Sequence, residues 1–262
     1  MSLTDELGKT RRTRAVLEEL ISDPAQLGPD FQPIRRLSDN ALVGYKATGR
    51  GKSGTELADT LSLLAGAASL GLVERLDWAF RCLAFDQAVA AGLSETLHIT
   101  PEPETFGSPC PPRLATSFAT GRRRLHVAAE VHDDAFADQG RLRQAVEEMR
   151  AWGWQVVLAD VADLPDAVRA LDWLRPDLVQ VDLAVPGRGS SPAVRRLLAA
   201  AADLGAEVMA LGVDSPLRRN EADELGATFG RGLVLGTPGP LPFYVAAVPD
   251  PRSGDREGRP PF

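Results

Sequence analysis

The sequence is poor in cysteine and contains no long apolar run. Its two cysteines, Cys82 and Cys110, are too few for a disulfide framework and too far apart for a zinc motif, so we expect idle thiols in a reducing compartment. No stretch reaches the ~18 apolar residues that a membrane-spanning helix needs. The polar first residues, MSLTDELGKTRRTR, lack the apolar core of a secretion signal. These absences predict a cytoplasmic protein with no membrane partner.

Positive charge is also in deficit, since 29 Lys and Arg stand against 36 Asp and Glu and the formal net charge is −7. Such a surface repels phosphate backbones, which disfavours a nucleic-acid partner. The basic run GRRRLH, residues 121–126, is interpreted as a solvated loop that enters a strand. With 44% hydrophobic residues in 262, the chain can bury one large core.

Eight short apolar runs have the composition of β-strands. The first two, 31–37 and 41–47, flank the polar turn 38–40 and predict a β-hairpin. The other six occupy residues 97–100, 125–131, 154–160, 178–182, 206–211 and 227–232. Helical patterns lie at residues 10–22, 55–68 and 72–91 and between the later strands. Strands that are apolar on both faces and alternate with helices indicate a parallel sheet covered by helices.

Eight such strands, with no glycine fingerprint after the first, favour a closed α/β barrel of the TIM type, (β/α)8, over an open sheet. The opening hairpin makes the first strand antiparallel to its neighbour. We predict an N-terminal helix and lead-in over residues 1–30 and the barrel over 31–248. Residues 249–262 are rich in Pro, Gly and charge and predict a disordered tail.

In barrels of this type the functional side chains lie at the C-terminal ends of the strands. Here those ends hold Lys46, His98, Glu130, Ala159, Asp160, Gln180, Asp182, Leu211, Asp214 and Arg231. These residues lie within or beside six motifs that follow one another along the chain. They are FQPIRRLSDNALVGYKATGR (31–50), LHITP (97–101), AEVHDDAF (129–136), LADVADLPDAVRALDWLRPDLVQVD (158–182), ALGVDS (210–215) and LGATFGRGLVLGTPGP (225–240).

Together these motifs resemble the EAL domain, a family of bacterial phosphodiesterases that linearise cyclic di-GMP. The resemblance covers residues 31–240 and implies an EAL-type barrel. It also implies a site for two divalent ions about 4 Å apart, which activate a water and stabilise the transition state. Such hard cations need oxygen ligands, mainly carboxylates.

Carried over position by position, the implied site is altered in this chain. The family's signature glutamate is Lys46, its asparagine ligand is His98 and its bridging aspartate is Ala159. The other positions comprise the retained carboxylates Glu130, Asp160 and Asp182, Asp214 in place of glutamate, Gln180 in place of lysine, Leu211 in place of glutamate and Arg231 in place of glutamine. An ammonium at position 46 and a guanidinium at position 231 repel dications.

We therefore predict a pseudoenzyme with no metal, no cofactor and no hydrolysis of cyclic di-GMP. Lys46 is interpreted as the cation of an ion pair with Glu130 and Asp160 that replaces the metal. A barrel that keeps its fold can still act through its surface. The predicted function is signalling in a cyclic di-GMP-related bacterial pathway by binding a protein partner that the sequence does not identify.

Two alternatives stay open. The family's nucleotide contacts correspond to Gln32, Arg50, Asp182, Arg231 and Pro238, which would make the chain a non-hydrolytic cyclic di-GMP receptor. The second alternative is an active phosphodiesterase or a rebuilt enzyme, with Lys46 as base or imine former, or with His98, Glu130 and Asp160 around one metal. His126, predicted in mid-strand and facing the barrel interior, and His132, in the next loop, are interpreted as structural.

Overall fold

The computed structural model describes residues 3–51, 54–159 and 165–242. In this part of the chain eight strands close into a barrel in chain order: β1 (Asp30–Arg36), β2 (Leu42–Thr48), β3 (Thr96–Ile99), β4 (Val127–Val131), β5 (Gln155–Leu158), β6 (Leu178–Asp182), β7 (Glu207–Leu211) and β8 (Phe229–Gly230). β1 is antiparallel to both β2 and β8, and every other pair is parallel. The irregular TIM-like barrel predicted from the sequence is confirmed.

Helices alternate with the strands and cover the outside of the barrel. They are α1 (Leu3–Ser22), α2 (Thr60–Ser69), α3 (Val73–Ala91), α4 (Ala115–Arg124), α5 (Gln139–Ala151), α6 (Pro165–Leu174), α7 (Pro192–Ala202) and α8 (Pro216–Glu224). Side-chain caps fix several starts, since Asp59, Asp138 and Ser215 each accept a hydrogen bond from a backbone N–H of the first turn. Among the described residues, no helix is long and apolar enough to span a membrane.

The apolar residues form layers that the alternation of the strands explains. One set of side chains points outward and packs against the helices, as Leu97 and Val156 do. The other set points into the barrel, where Ala128, Leu178 and Met209 form an apolar layer. A further cluster joins α1, α2 and α3 through buried leucines and an isoleucine, including Leu17, Ile21, Leu63 and Leu76. Burying each such side chain contributes about 1.5–3 kcal/mol.

The structure corrects three details of the sequence interpretation. The basic run at 121–126 is largely the last turn of α4, where Arg122 lies over the rings of Phe118 and Trp152. His126 precedes β4 and is exposed, so it does not face the barrel interior. β8 contains only two residues, because the chain after Gly230 turns. The predicted tail at 249–262 lies outside the described residues.

Candidate functional site

Four polar side chains meet inside the barrel at the C-terminal ends of four strands. Lys46 lies two residues before the end of β2, His98 lies in β3, Glu130 in β4 and Gln180 in β6. Each is at most 6% exposed. Two residues earlier, β4 and β6 carry Ala128 and Leu178 of the apolar layer, so the period-two alternation of the strands points these four groups into the same interior.

Glu130 is the acceptor at the centre of this group. Its carboxylate accepts hydrogen bonds from Lys46 Nζ at 2.6 Å and Gln180 Nε2 at 2.8 Å, and His98 Nδ1 lies 3.3 Å away. Lys46 Nζ also donates to Thr100 Oγ1. Both carboxylate oxygens are therefore occupied by donors from the protein itself, and the predicted ion pair between Lys46 and Glu130 is present.

The surroundings set the charge of each member. Burial opposes ionisation of Glu130, but Lys46 and the nearby imidazoles of His132 and His98 outweigh it and hold the pKa of Glu130 well below its ordinary value. Burial lowers the pKa of Lys46 against the pull of Glu130, and the positive charge of Arg231 lowers it further. Burial also lowers the pKa of His98, which keeps the imidazole neutral at pH 7. An ionised Glu130 and the adjoining ammonium balance each other.

The donor set does not fit two divalent ions. Lys46 places an ammonium where the family resemblance implies an oxygen ligand, and Ala159 offers only a methyl group. In the described residues, no three His, Cys, Asp or Glu side chains are grouped to hold a metal. Asp160, predicted beside Lys46 and in the single-metal alternative with His98 and Glu130, lies outside the described residues.

Three further predicted positions, at or after the ends of β6 and β7, have structural roles. Asp182 Oδ1 accepts from the N–H of Ala184 at 2.8 Å, and Asp214 Oδ1 accepts from the N–H of Leu233 at 2.7 Å. Leu211 packs against the apolar layer inside the barrel. Asp182 thus fixes the turn after β6, whereas Asp214 joins the loop after β7 to the segment after β8.

The predicted nucleotide contacts have partners within the protein. Gln32 Nε2 donates to the carbonyl of Gly236 at 3.2 Å. Arg50 Nη1 donates to Asp30 Oδ2 at 2.7 Å, and the Arg50 side chain is 55% exposed. Pro238 is exposed. Of these groups, Arg50 is a half-exposed cation at the mouth of the barrel and is accessible to an anion.

A second buried ion pair was missed by sequence reasoning. Asp77 and Arg81 on α3 are each 6% exposed, and Arg81 Nη2 donates to Asp77 Oδ2 and, at 2.9 Å, to Thr105 Oγ1. The guanidinium carbon of Arg81 lies 4.4 Å from the ring centroid of Trp78. Burial raises the pKa of Asp77, while Arg81 opposes that rise. Opposite charges four residues apart on α3, with only the apolar Trp78, Ala79 and Phe80 between them, were the available signal.

A cavity of about 340 Å³ lies between the two ion pairs. Its wall includes the C-terminal ends of β2 and β3, the loops that follow β3 and β4, and residues of α2 and α3. Lys46 and Arg81 both line it, as do Phe80, Glu102 and His132. The cavity therefore borders the position at which the resemblance implies catalysis.

Comparisons with known proteins place the fold. The sequence model of the EAL domain family matches residues 14–238. The FimX EAL domain of Xanthomonas citri, solved with cyclic di-GMP, has a TM-score of 0.75 and 18% identity over 91% of this chain and 97% of that one. The FimX EAL domain of Pseudomonas aeruginosa, also bound to cyclic di-GMP, gives 0.73 and 17% over 87% and 97%.

The PaMucR phosphodiesterase in complex with cyclic di-GMP has a TM-score of 0.72 and 19% identity over 88% of this chain and 98% of that one. At such identities these likenesses establish the fold alone. No curated protein matches the sequence.

Proposed function

This chain belongs to the EAL domain family, and we propose that it is a catalytically inactive member that acts by binding another protein in a cyclic di-GMP-related bacterial pathway. The observation that carries the proposal is the buried ion pair of Lys46 and Glu130, with 2.6 Å between Nζ and Oε2. In this pair the ammonium group of Lys46 balances the negative charge of Glu130. A metal ion is therefore not needed to balance that carboxylate.

The size of the electrostatic effect supports inactivity. Two unit charges about 4 Å apart repel by about 4 kcal/mol at an effective dielectric near 20, so a divalent ion beside Lys46 would be repelled by about 8 kcal/mol. Arg231, whose charge acts on Lys46, Glu130 and His98, adds to this repulsion. A second divalent ion would meet the same field without the bridging carboxylate that Ala159 lacks.

The surface at the same end of the barrel supports the binding of a protein. Leu233 is 57% exposed and Val234 is 50% exposed on the segment that follows β8. Leu217, at the start of α8, is 67% exposed. Leu233 and Val234 adjoin in the chain, and adjacent large apolar side chains that remain in water are characteristic of interaction sites.

The test of inactivity is incubation of the full chain with cyclic di-GMP and Mn²⁺ or Mg²⁺, followed by chromatography for the linear dinucleotide. We expect no product. The variant Lys46→Glu is the informative companion, and we expect it to be inactive too, because Ala159 and Gln180 still lack the implied carboxylate and lysine. Formation of the linear dinucleotide by the unaltered chain would overturn the proposal. If neither protein forms the linear dinucleotide, a pull-down from the native cell is the experiment that identifies the bound protein.

A second candidate function, cyclic di-GMP binding without hydrolysis, is favoured by the exposure of Arg50. Its guanidinium, 55% exposed, is held by Asp30 at the mouth of the barrel and could form a fork on a phosphate. The structural neighbours described above include two FimX EAL domains that were solved with this nucleotide.

Calorimetry without metal separates the two candidates. Micromolar binding of cyclic di-GMP that is lost in Arg50→Ala would support the receptor. The matched control is Arg36→Ala, because Arg36 makes a similar exposed ion pair with Asp39, 2.9 Å long, at the opposite end of β1. If cyclic di-GMP produces no heat of binding with the unaltered chain, Arg50→Ala or Arg36→Ala, the receptor function is excluded and the protein-binding function is retained.

A further inference from the structure

The cavity between the two buried ion pairs carries more negative than positive charge. Its two cations are already matched, since Lys46 is bonded to Glu130 and Arg81 to Asp77. The wall also contains Glu102, Asp133 and Asp134. In residues 3–51, 54–159 and 165–242, none of these three carboxylates has a basic nitrogen within salt-bridge distance. Asp133 and Asp134 therefore remain available to a cation from outside, and a cation placed beside Glu102 would favour the ionised form of that carboxyl group.

The rest of the wall is apolar. Leu64 of α2, Phe80 of α3 and Ile99 of β3 line it, together with Pro101 and Pro103 after β3. A volume of about 340 Å³ is at the lower end of the ~300–1,000 Å³ range of ligand sites. The combination of an apolar wall and carboxylates suits a long methylene stem that ends in a positive charge.

An unused hydrogen-bond donor on the same wall is a second and independent observation. Arg81, 6% exposed, has no acceptor for its Nε among the described residues. Buried donors without an acceptor are rare in folded proteins. The Nε atom itself is covered, so a backbone carbonyl of an incoming peptide segment would accept from it once the Arg81 side chain moves toward the cavity that it lines.

We propose that this cavity receives an arginine or lysine side chain of the partner protein, an inference that rests on the proposed protein-binding function. The methylene stem packs on Phe80 and Leu64, and the charged end pairs with Glu102 and Asp134. The phosphates of a dinucleotide would instead meet three carboxylates, which disfavours an anionic occupant.

The test uses two short peptides and the full chain, followed by NMR of the backbone amides. The probes are N-acetyl-Leu-Arg-Leu-amide and its citrulline counterpart, which has nearly the same shape but no charge. We expect the arginine peptide to shift the amides of Thr48 and Thr100, both on the cavity wall, in a saturable manner. We expect the citrulline peptide to bind about tenfold more weakly.

Two substitutions locate the effect. Glu102→Gln, which keeps the shape of the side chain, should weaken binding of the arginine peptide about tenfold. Asp134→Asn should weaken it as well and serves as a second variant. Glu207→Gln removes an exposed carboxylate at the start of β7, at the other end of the barrel, and should change nothing.

Equal affinity for the two peptides, no saturable shift up to the solubility limit, or equal effects of Glu102→Gln and Glu207→Gln would each overturn the inference. Stronger shifts of Thr48 and Thr100 by cyclic di-GMP than by the arginine peptide would also overturn it and would assign the cavity to the nucleotide. Failure of the proposed function is seen separately, as hydrolysis in the Mn²⁺ assay.

Discussion

Replacement of Lys46 by methionine tests the central electrostatic claim. Methionine keeps a long unbranched side chain, so little packing is lost. Glu130, 2% exposed, then becomes a buried carboxylate without a bonded cation, although Gln180 and His98 still face it. Removing one partner of a buried ion pair costs about 3–5 kcal/mol, and we expect the free energy of unfolding at pH 7 to fall by about 3 kcal/mol. Urea unfolding measures this change.

The pH dependence gives the sign of the effect. The pKa of Glu130 lies below its unfolded value in the unaltered protein, so this carboxylate contributes stability above the unfolded pKa that is lost as pH falls through the folded pKa. In Lys46→Met, burial becomes the main influence and should raise the pKa of Glu130 instead. The variant should then lose stability as pH rises above about 4.3, so the difference between the two proteins is largest at neutral pH.

A double-mutant cycle with Glu130→Gln isolates the interaction. If the two side chains form an ion pair, the double variant should be more stable than the sum of the single effects predicts, by about 1.5 kcal/mol or more. Effects that add within about 0.5 kcal/mol would refute the reasoning. Arg36→Met, which removes an exposed ion pair with Asp39, is the control and should leave the urea midpoint unchanged.

Three further predictions concern the second ion pair and the cavity. Arg81→Met leaves Asp77 buried without its cation and should lower the free energy of unfolding by about 3–5 kcal/mol in urea, and an unchanged midpoint would contradict the assignment. In Gly49→Ala, the new Cβ would lie 2.4–2.6 Å from three ring atoms of Phe80, so we expect a loss of about 1–3 kcal/mol, whereas Gly28→Ala meets no atom within 4 Å and should be neutral by the same assay. Burial, with Asp77 and Asp134, raises the pKa of Glu102 to about 7, so stability should fall as pH rises from the ordinary 4.5 to about 7, and Glu102→Gln should flatten that interval in a pH series of thermal unfolding.

The parts of the fold that could be predicted are those where one physical signal dominates. The run LVQVD at 178–182 has apolar residues at three of its five positions and turn signals beside it, and β6 has those bounds. The hairpin followed from the polar turn at 38–40, and the antiparallel β1 followed from the hairpin. The ion pair of Lys46 and Glu130 could be expected because both side chains point into the barrel near the C-terminal ends of β2 and β4, on either side of β3.

Other features depend on contacts between distant segments and were therefore missed. The arginines of 121–126 belong to a helix, on which Arg122 lies over the ring of Trp152, 30 residues later. β8 is short because its backbone turns away after Gly230, which no local pattern indicated. Thr105, which joins the pair of Asp77 and Arg81, comes from a loop whose position depends on the closed barrel.

The ring of strands is joined to itself over a very short length. β1 and β8 share two residue pairs, Arg35 with Gly230 and Arg36 with Phe229, while β1 and β2 share six. β8 also shares only two pairs with β7, so it has fewer pairs over its two edges than any other strand of the barrel. Transient opening of the ring should therefore begin at this junction, where few bonds must break at once. Deuterium uptake at the backbone amides of Phe229 and Gly230 should accordingly be faster than uptake at the middle of β6. When the chain is pulled from its two termini, β1 should separate from β8 first.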